Sequence, residues 1–141
     1  MTDDDLIRDI LGTRRTIAVV GFSANPSRPS HGVARYLQTK GHRVIPVNPG
    51  LVGQTFLGEK VHARLAEIGE AVDVVDVFRR SEEVAGLVDQ VLALSPLPHA
   101  IWTQLDVRDD AAAERARAAG IRVVQDRCPA IEIPRLGIVA G

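Results

Sequence analysis

The chain has 141 residues, of which 45% are apolar and 25% are charged, and its formal net charge is −1. These values are typical of one folded domain and argue against intrinsic disorder. A net charge near zero gives no electrostatic reason to expect binding to nucleic acid or to a membrane surface. The chain has one cysteine and an acidic start, and it has no apolar run approaching the ~20 residues of a membrane span. We therefore expect a single cytoplasmic domain, 1–141.

The first half of the chain alternates helix and strand patterns. A capped amphipathic helix is predicted between Thr2 and Gly12. A buried strand is predicted over 16–21, then a helix capped by Ser30, then a second strand over 43–47. Both strands are short apolar runs rich in β-branched residues, which is typical of strands covered on both faces.

The second half continues this alternation after a less regular stretch over 51–68. Further strands are predicted over 72–78, 100–102 and 121–124. The helices between them are expected to be capped by Ser81 and by Asp106 or Asp109.

Alternating strands and helices predict an α/β fold. The expected architecture is a Rossmann-like, doubly wound parallel sheet of about five main strands with helices on both faces, in the strand order 3-2-1-4-5. A ligand of such a sheet binds beyond the carboxyl ends of the strands. The loops expected at that edge are 21–30, 48–49, 78–80, 103–106 and 125–128.

The loop after the first strand has the residue types of a phosphate site. Gly21 allows a tight turn or a close approach of a ligand to the backbone. Ser23, Asn25 and Ser30 offer polar side chains, and Arg28 offers a planar cation suited to phosphate. The following helix N-terminus adds N–H groups and a positive dipole end. We predict a phosphate-bearing ligand here; the alternative is an ordinary polar loop.

The glycine spacing of a dinucleotide site is missing, because no glycine follows Gly21 at i+2 or i+5. No acid lies about 20 residues further on, where NAD sites bind the ribose hydroxyls. Lys40, His42 and Arg43 are found there instead, and Arg79 and Arg80 add charge from another loop. These cations favour a ligand with an additional phosphate on or near its ribose, and both NADP and coenzyme A have one.

Five short segments, which together span almost the whole chain, resemble a known family. They are Val20-Gly-Phe-Ser-Ala-Asn-Pro-Ser-Arg-Pro-Ser30, Val44-Ile-Pro-Val-Asn-Pro49, Asp76-Val-Phe-Arg-Arg80, Trp102-Thr-Gln104 and Asp126-Arg-Cys128. In this order they resemble the small stand-alone coenzyme A-binding proteins, which are similar to the coenzyme A-binding domain of the succinyl-CoA synthetase alpha subunit. The resemblance implies a Rossmann-like fold that binds coenzyme A without a demonstrated reaction.

The resemblance also implies a set of cofactor-binding residues. The residues implied for the pyrophosphate are Gly21, Ser23, Asn25, Pro26, Arg28 and Ser30. The residues implied for the adenosine side are Val47, Asn48, Pro49, Phe78 and Arg79. Phe22 in the first turn and Arg80 beside Arg79 complete the set. One position departs from the family pattern, because Asp106 stands where the family has glycine after Trp-x-Gln-x, and we expect it to cap a helix.

No catalytic or metal site is predicted. Gly21-Phe-Ser-Ala-Asn25 lacks the last glycine of a hydrolase nucleophile elbow. The histidines have no metal-ligand spacing; they are His31, His42, His62 and His99. Asp73 and Asp76 are three apart on one strand, so they point to opposite faces.

Cys128 has two interpretations. Beside Arg127, and on the ligand side of the sheet, the thiol would have a lowered pKa and could form a mixed disulfide with coenzyme A. The alternative is a buried, inert thiol.

We expect a protein that binds coenzyme A or an acyl-CoA as its small-molecule partner. A homodimer is a candidate assembly, and we leave open whether the protein is an enzyme. The alternatives are a small NADP-dependent oxidoreductase, the nucleotide-binding part of an acyl-CoA ligase, or a scaffold whose ligand site has decayed.

Overall fold

Helices and strands alternate along residues 2–141, the part of the chain that the computed structural model describes. In chain order they are α1 (Asp3–Leu11), β1 (Thr16–Val20), α2 (Pro29–Thr39), β2 (Arg43–Val47), β3 (Thr55–Phe56), β4 (Glu59–Lys60), β5 (Val74–Val77), α3 (Val84–Leu92), β6 (Ala100–Thr103), α4 (Asp110–Ala118), β7 (Arg122–Val124) and α5 (Pro129–Leu136). Short 3-10 helices cover Pro49–Leu51, Leu65–Glu67 and Ser81–Glu83. Over residues 2–141, none of these helices is long and apolar enough to cross a membrane.

Five of the strands form one parallel sheet in the order β2-β1-β5-β6-β7. The predicted fold class, a Rossmann-like α/β sheet of about five main strands, is therefore confirmed. The predicted strand order is wrong, since the third main strand, β5, pairs with β1 and not with β2. The chain leaves β1 on one side toward β2 and returns on the other side to β5, so the topological switch point lies between β1 and β5.

The segment after β2 explains this order. β3 and β4 form a small antiparallel hairpin, and the chain then runs beside the outer edge of β2. There Val47 pairs with His62 in a parallel bridge, and the His62 amide donates to the Pro46 carbonyl at 3.1 Å. Because this segment already occupies the carboxyl end of that edge, the next long strand pairs on the far side of β1.

Helices cover both faces of the sheet. One core lies between the sheet and α1, α2 and α5, and includes Ile17, Leu37 and the fully buried Trp102. The other lies between the sheet and α3, α4 and the 3-10 helix at Leu65–Glu67, and includes Val75 and Leu87. The expected packing of Trp102 in the core is confirmed.

The caps predicted at Thr2 and Asp109 are correct, whereas those predicted at Ser30 and Ser81 are wrong. Thr2 accepts from the Asp5 amide at 3.1 Å, and Asp109 accepts from the Ala112 amide at 3.0 Å. Ser30 is not a cap, since α2 begins one residue earlier at Pro29, whose fixed φ suits a first helical position. Ser81 is not a cap either, because its hydroxyl accepts from the Arg108 amide at 2.9 Å.

Gly21 ends β1 in a conformation that only glycine adopts easily. Its φ is +88°, and its amide donates to the Val47 carbonyl at 3.0 Å. A Cβ at this position would lie 2.2 Å from the Phe78 carbonyl oxygen. The turn that follows β1 is therefore held between the ends of β2 and β5.

Gly21→Ala should destabilise the protein by about 2–5 kcal/mol, since it combines positive-φ strain of about 1–2 kcal/mol with a backbone clash of about 1–3 kcal/mol. Gly53→Ala is the matched control, because Gly53 has φ +86° and an added Cβ there meets no atom within 4 Å. It should lose only the strain, about 1–2 kcal/mol. Denaturant unfolding measures both, and equal losses would contradict the tight approach to Phe78.

Candidate functional site

A cleft of about 1220 Å³ opens at the carboxyl ends of the strands. The turn after β1 and the first residues of α2 line one side of the cleft, and the loops after β5 and β6 line the other side. Its volume is above the ~300–1,000 Å³ of most small-molecule pockets. The cleft therefore has room for an extended ligand.

The turn between β1 and α2 is held by its own polar side chains. The Ser23 amide donates to the Ser30 hydroxyl at 2.9 Å, and the Asn25 amide donates to the Ser23 hydroxyl at 3.1 Å. The Ser27 amide donates to Asn25 Oδ1 at 3.0 Å. Among residues 2–141, the amides of Ala24 and Ser30 have no acceptor, and both residues line the cleft. These two donors remain for an anionic group.

The loop after β2 supports the turn from the side. Asn48 Nδ2 donates to the Phe22 carbonyl at 2.7 Å, while its Oδ1 accepts from the Gly50 amide at 2.8 Å. Val47 is buried, and its carbonyl accepts from the amides of Gly21 and Phe22. Asn48 and Val47 thus fix the backbone of the predicted phosphate site.

Phe22 borders the cleft but is fully buried, so it supports the wall from within the core. Its ring packs against the rings of His31 and Phe56, with centroids 5.0 and 5.4 Å away. His31 Nδ1 lies 2.8 Å from the Ser23 carbonyl oxygen, so His31 is a hydrogen-bonded core histidine that also holds the turn.

Arg28, Arg79 and Arg80 all line the cleft. Arg80 lies 3.8 Å from Glu83 in an exposed ion pair. Within residues 2–141, Arg28 and Arg79 are not in any ion pair. Their guanidinium donors are therefore available to an anionic ligand. Acidic side chains line the cleft as well, and they are Glu82, Glu83 and Asp106.

The cations before and at the start of β2 do not line the cleft, so the prediction that they contact the ligand is wrong. Lys40 and His42 precede β2, and Arg43 is its first residue, so all three lie at the amino edge of the parallel sheet. Arg43 pairs with Glu59 at 2.9 Å. Burial lowers the pKa of His42, which keeps that ring neutral. These residues supply no charge to the cleft.

The predicted site residues fall into three groups. Those that line the cleft are Gly21, Phe22, Ser23, Asn25, Arg28, Ser30, Asn48, Phe78, Arg79 and Arg80. Val47 and Pro49 line an adjoining cavity of about 460 Å³, which Arg79 also borders. Pro26 is exposed and lines neither cavity.

Asp76 is buried at the end of β5, with a side chain only 1% exposed. Its Oδ1 accepts from Gln104 Nε2 at 2.6 Å, and its Oδ2 has no hydrogen-bond partner within residues 2–141. Burial raises the pKa of this carboxyl to about 7, and the hydrogen bond from Gln104 only partly opposes that effect. Gln104 itself lines the cleft.

Cys128 borders the cleft and is half-buried, directly before α5. The expectation that Arg127 lowers the pKa of this thiol is wrong. Arg127 is paired with Glu132 at 2.9 Å, and burial raises the pKa of Cys128. The thiol is thus on the ligand side of the sheet, but it is not activated.

A family model described as a CoA binding domain matches residues 15–134. The chain belongs to this family. The uncharacterized protein YneT of Bacillus subtilis (strain 168) is 37% identical over 123 residues, which cover 86% of this chain and 87% of YneT. These findings confirm the family resemblance inferred from the five segments.

Solved structures match the fold of this CoA binding domain. The structure of cell-free ID.343 from Thermus thermophilus has a TM-score of 0.88 and 41% identity, and the match covers 96% of this chain and 99% of that one. The apo dinucleotide forming acetyl-coenzyme A synthetase 1 of Ca. Korarchaeum cryptofilum has a TM-score of 0.66 and 23% identity, over 82% of this chain and 27% of that chain. The second similarity shows a shared fold alone.

The loop after β6 also lines the cleft of this CoA binding domain, although the predicted site did not include its residues. They are Gln104, Leu105, Asp106 and Val107. Asp106 is not a helix cap, since its φ is +67° and its amide donates to Asp126 Oδ1 at 2.6 Å. Glycine adopts this conformation without strain, and glycine is the residue that the family resemblance implied at this position. The departure at Asp106 was therefore the sequence signal that this loop makes a special turn.

The buried carboxyl predicts a distinct pH dependence of stability. Asp76 binds its proton more tightly in the folded state, with a pKa near 7 against 3.8, so the contribution of Asp76 to stability falls as pH rises from about 4 to 7. Relative to Asp76→Asn, the loss should reach at most about 1.4 kcal/mol per pH unit and level off above pH 8. Denaturant unfolding of both proteins from pH 4 to 8 measures the difference, in which the other groups cancel. A difference that does not vary with pH would show that Asp76 ionises normally.

Proposed function

We propose that this CoA binding domain binds coenzyme A or an acyl-CoA, with the diphosphate at the turn between β1 and α2. The observation that carries the proposal is the coincidence of donors there. The unpartnered amides of Ala24 and Ser30 and the unpaired Arg28 guanidinium border the same cleft, at the positive end of α2. Membership of a family described as a CoA binding domain supports the same ligand.

The adenosine is proposed to lie on the β2 side of this turn. Val47 and Pro49 line the adjoining cavity there, and Arg79 borders both cavities. Arg79 is thus placed to meet a phosphate on the ribose while the base enters the smaller cavity. No acid follows β2 directly, because Asn48 and Pro49 occupy the positions where an NAD site has its ribose-binding carboxylate.

The alternatives have weaker support. The cations before and at the start of β2 favoured NADP and coenzyme A alike, and they lie at the opposite edge of the sheet, so they support neither ligand. The acetyl-coenzyme A synthetase is similar at 23% identity, which supports the fold and carries no activity to this chain. We therefore propose a binding function without a reaction step.

Coenzyme A should stabilise the protein, whereas NAD should not. A ligand at 100 times its Kd adds about 2.7 kcal/mol, which corresponds to roughly 5–10 °C in Tm for a domain of this size. Thermal unfolding with coenzyme A, NADP and NAD at matched concentrations gives the comparison. Stronger stabilisation by either dinucleotide would refute the assignment.

Arg28→Ala should weaken coenzyme A binding by about 10- to 150-fold, the equivalent of about 1.5–3 kcal/mol for a charged hydrogen bond. Arg35→Ala is the matched control, because Arg35 is exposed on the same helix α2 and does not line the cleft. Isothermal titration calorimetry should show a large loss for Arg28 and little for Arg35. Similar losses in both variants would mean that only the net charge matters.

A further inference from the structure

We propose that Asp76 is a positioning residue for the arm of the ligand, and that it acts by holding the Gln104 carboxamide in one orientation at the wall of the cleft. The group recognised would be a secondary amide N–H of an extended arm such as pantetheine. This inference rests on the proposed function and adds to it a residue that does not itself reach the cleft.

The direction of the arm follows from the strand order. The proposed diphosphate site lies at the end of β1, and the cavity proposed for adenosine lies between the segment after β2 and helix α3. In coenzyme A the diphosphate joins the adenosine to the pantetheine arm, and from the turn the larger cleft offers the arm a path along the loops after β5 and β6. Gln104 follows β6, about 10 Å from β1 at two strand spacings. It is therefore within reach of an arm that starts at the turn.

A hydrogen bond inside the protein fixes the orientation of the Gln104 carboxamide. Its Nε2 donates to Asp76 Oδ1 at 2.6 Å inside the protein. Its Oε1 has no hydrogen-bond partner among residues 2–141, and Gln104 lines the cleft with 7% of its surface exposed. With the nitrogen engaged by Asp76, the group left for a ligand is the carbonyl oxygen, which accepts from an N–H.

Asp76 is otherwise an unfavourable residue for its position. It lies among Val74, Val75 and Val77 in a strand where every other side chain is apolar, and no cation of the described residues 2–141 pairs with it. Its Oδ2 has no partner, and a buried unsatisfied oxygen costs stability. An apolar residue of similar size would fit the strand at lower cost, so the hydrogen bond to Gln104 is the contact that accounts for the carboxyl.

The test compares the affinities of two ligands, one with the arm and one without it. Coenzyme A carries the arm, whereas adenosine 3′,5′-bisphosphate has the nucleotide part alone. Asp76→Leu should lower coenzyme A affinity roughly 2- to 12-fold, the factor for one neutral hydrogen bond, and leave adenosine 3′,5′-bisphosphate affinity unchanged. Its Tm should be equal to or above that of the wild type, because an unpaired buried carboxyl is removed. Asp76→Asn, which keeps an acceptor oxygen, should retain coenzyme A affinity.

Gln104→Leu gives a second measurement on the cleft side and should show the same arm-selective loss. If Asp76 acts only through Gln104, adding Asp76→Leu to Gln104→Leu should cause no further loss of affinity. Equal losses for both ligands, a loss in Asp76→Leu that tracks a lowered Tm, or additive effects in the double variant would overturn the inference. If the wild-type chain binds both ligands equally well, this inference fails but the proposed function stands. If the chain binds neither ligand, the proposed function fails as well.

Discussion

The site depends on the way β1 ends between its two neighbours. The Gly21 amide donates to the Val47 carbonyl of β2, and the Phe78 amide donates to the Val20 carbonyl at 2.8 Å, so both flanking strands fix the same point. The left-handed φ of Gly21 then turns the chain out of the sheet against the Phe78 carbonyl. Since α2 begins only a few residues later, the position of its N-terminus follows from this one turn.

Local features of this site could be predicted from the sequence, because they depend on neighbours in the chain. The second strand was predicted over 43–47, where β2 lies, and the polar turn after Gly21 was found from its residue types. The strand order could not be predicted in this way, because it depends on the Val47–His62 bridge between distant segments. The cations were misplaced for a related reason: residues immediately before and after a five-residue parallel strand lie about 20 Å apart, at opposite edges of the sheet.

The buried pair at the cleft wall shows a second limit of sequence reasoning. Asp76 could be recognised as an acid in an apolar strand, and Gln104 as part of a short motif. Neither position indicated that the two side chains share a 2.6 Å hydrogen bond, or that Asp76 Oδ2 is left without a partner. Such a pair forms only when β5 and β6 are neighbours in the sheet, so it follows from topology and not from local pattern. A buried acid lowers the stability of the protein. Its presence at the cleft wall therefore indicates that a requirement other than packing determines which residue stands there.

Whole-chain charge is a poor guide to this cleft, because the charge that matters is the charge left unpaired. The formal net charge of −1 gave no reason to expect an anionic ligand. Yet many arginines are neutralised locally, as Arg127 is by Glu132 and Arg115 is by Asp89 at 2.6 Å. Arg28 and Arg79 keep their full charge and all of their donors at the cleft within the described residues. A protein of nearly zero net charge can therefore still present unpaired guanidinium donors to a phosphate.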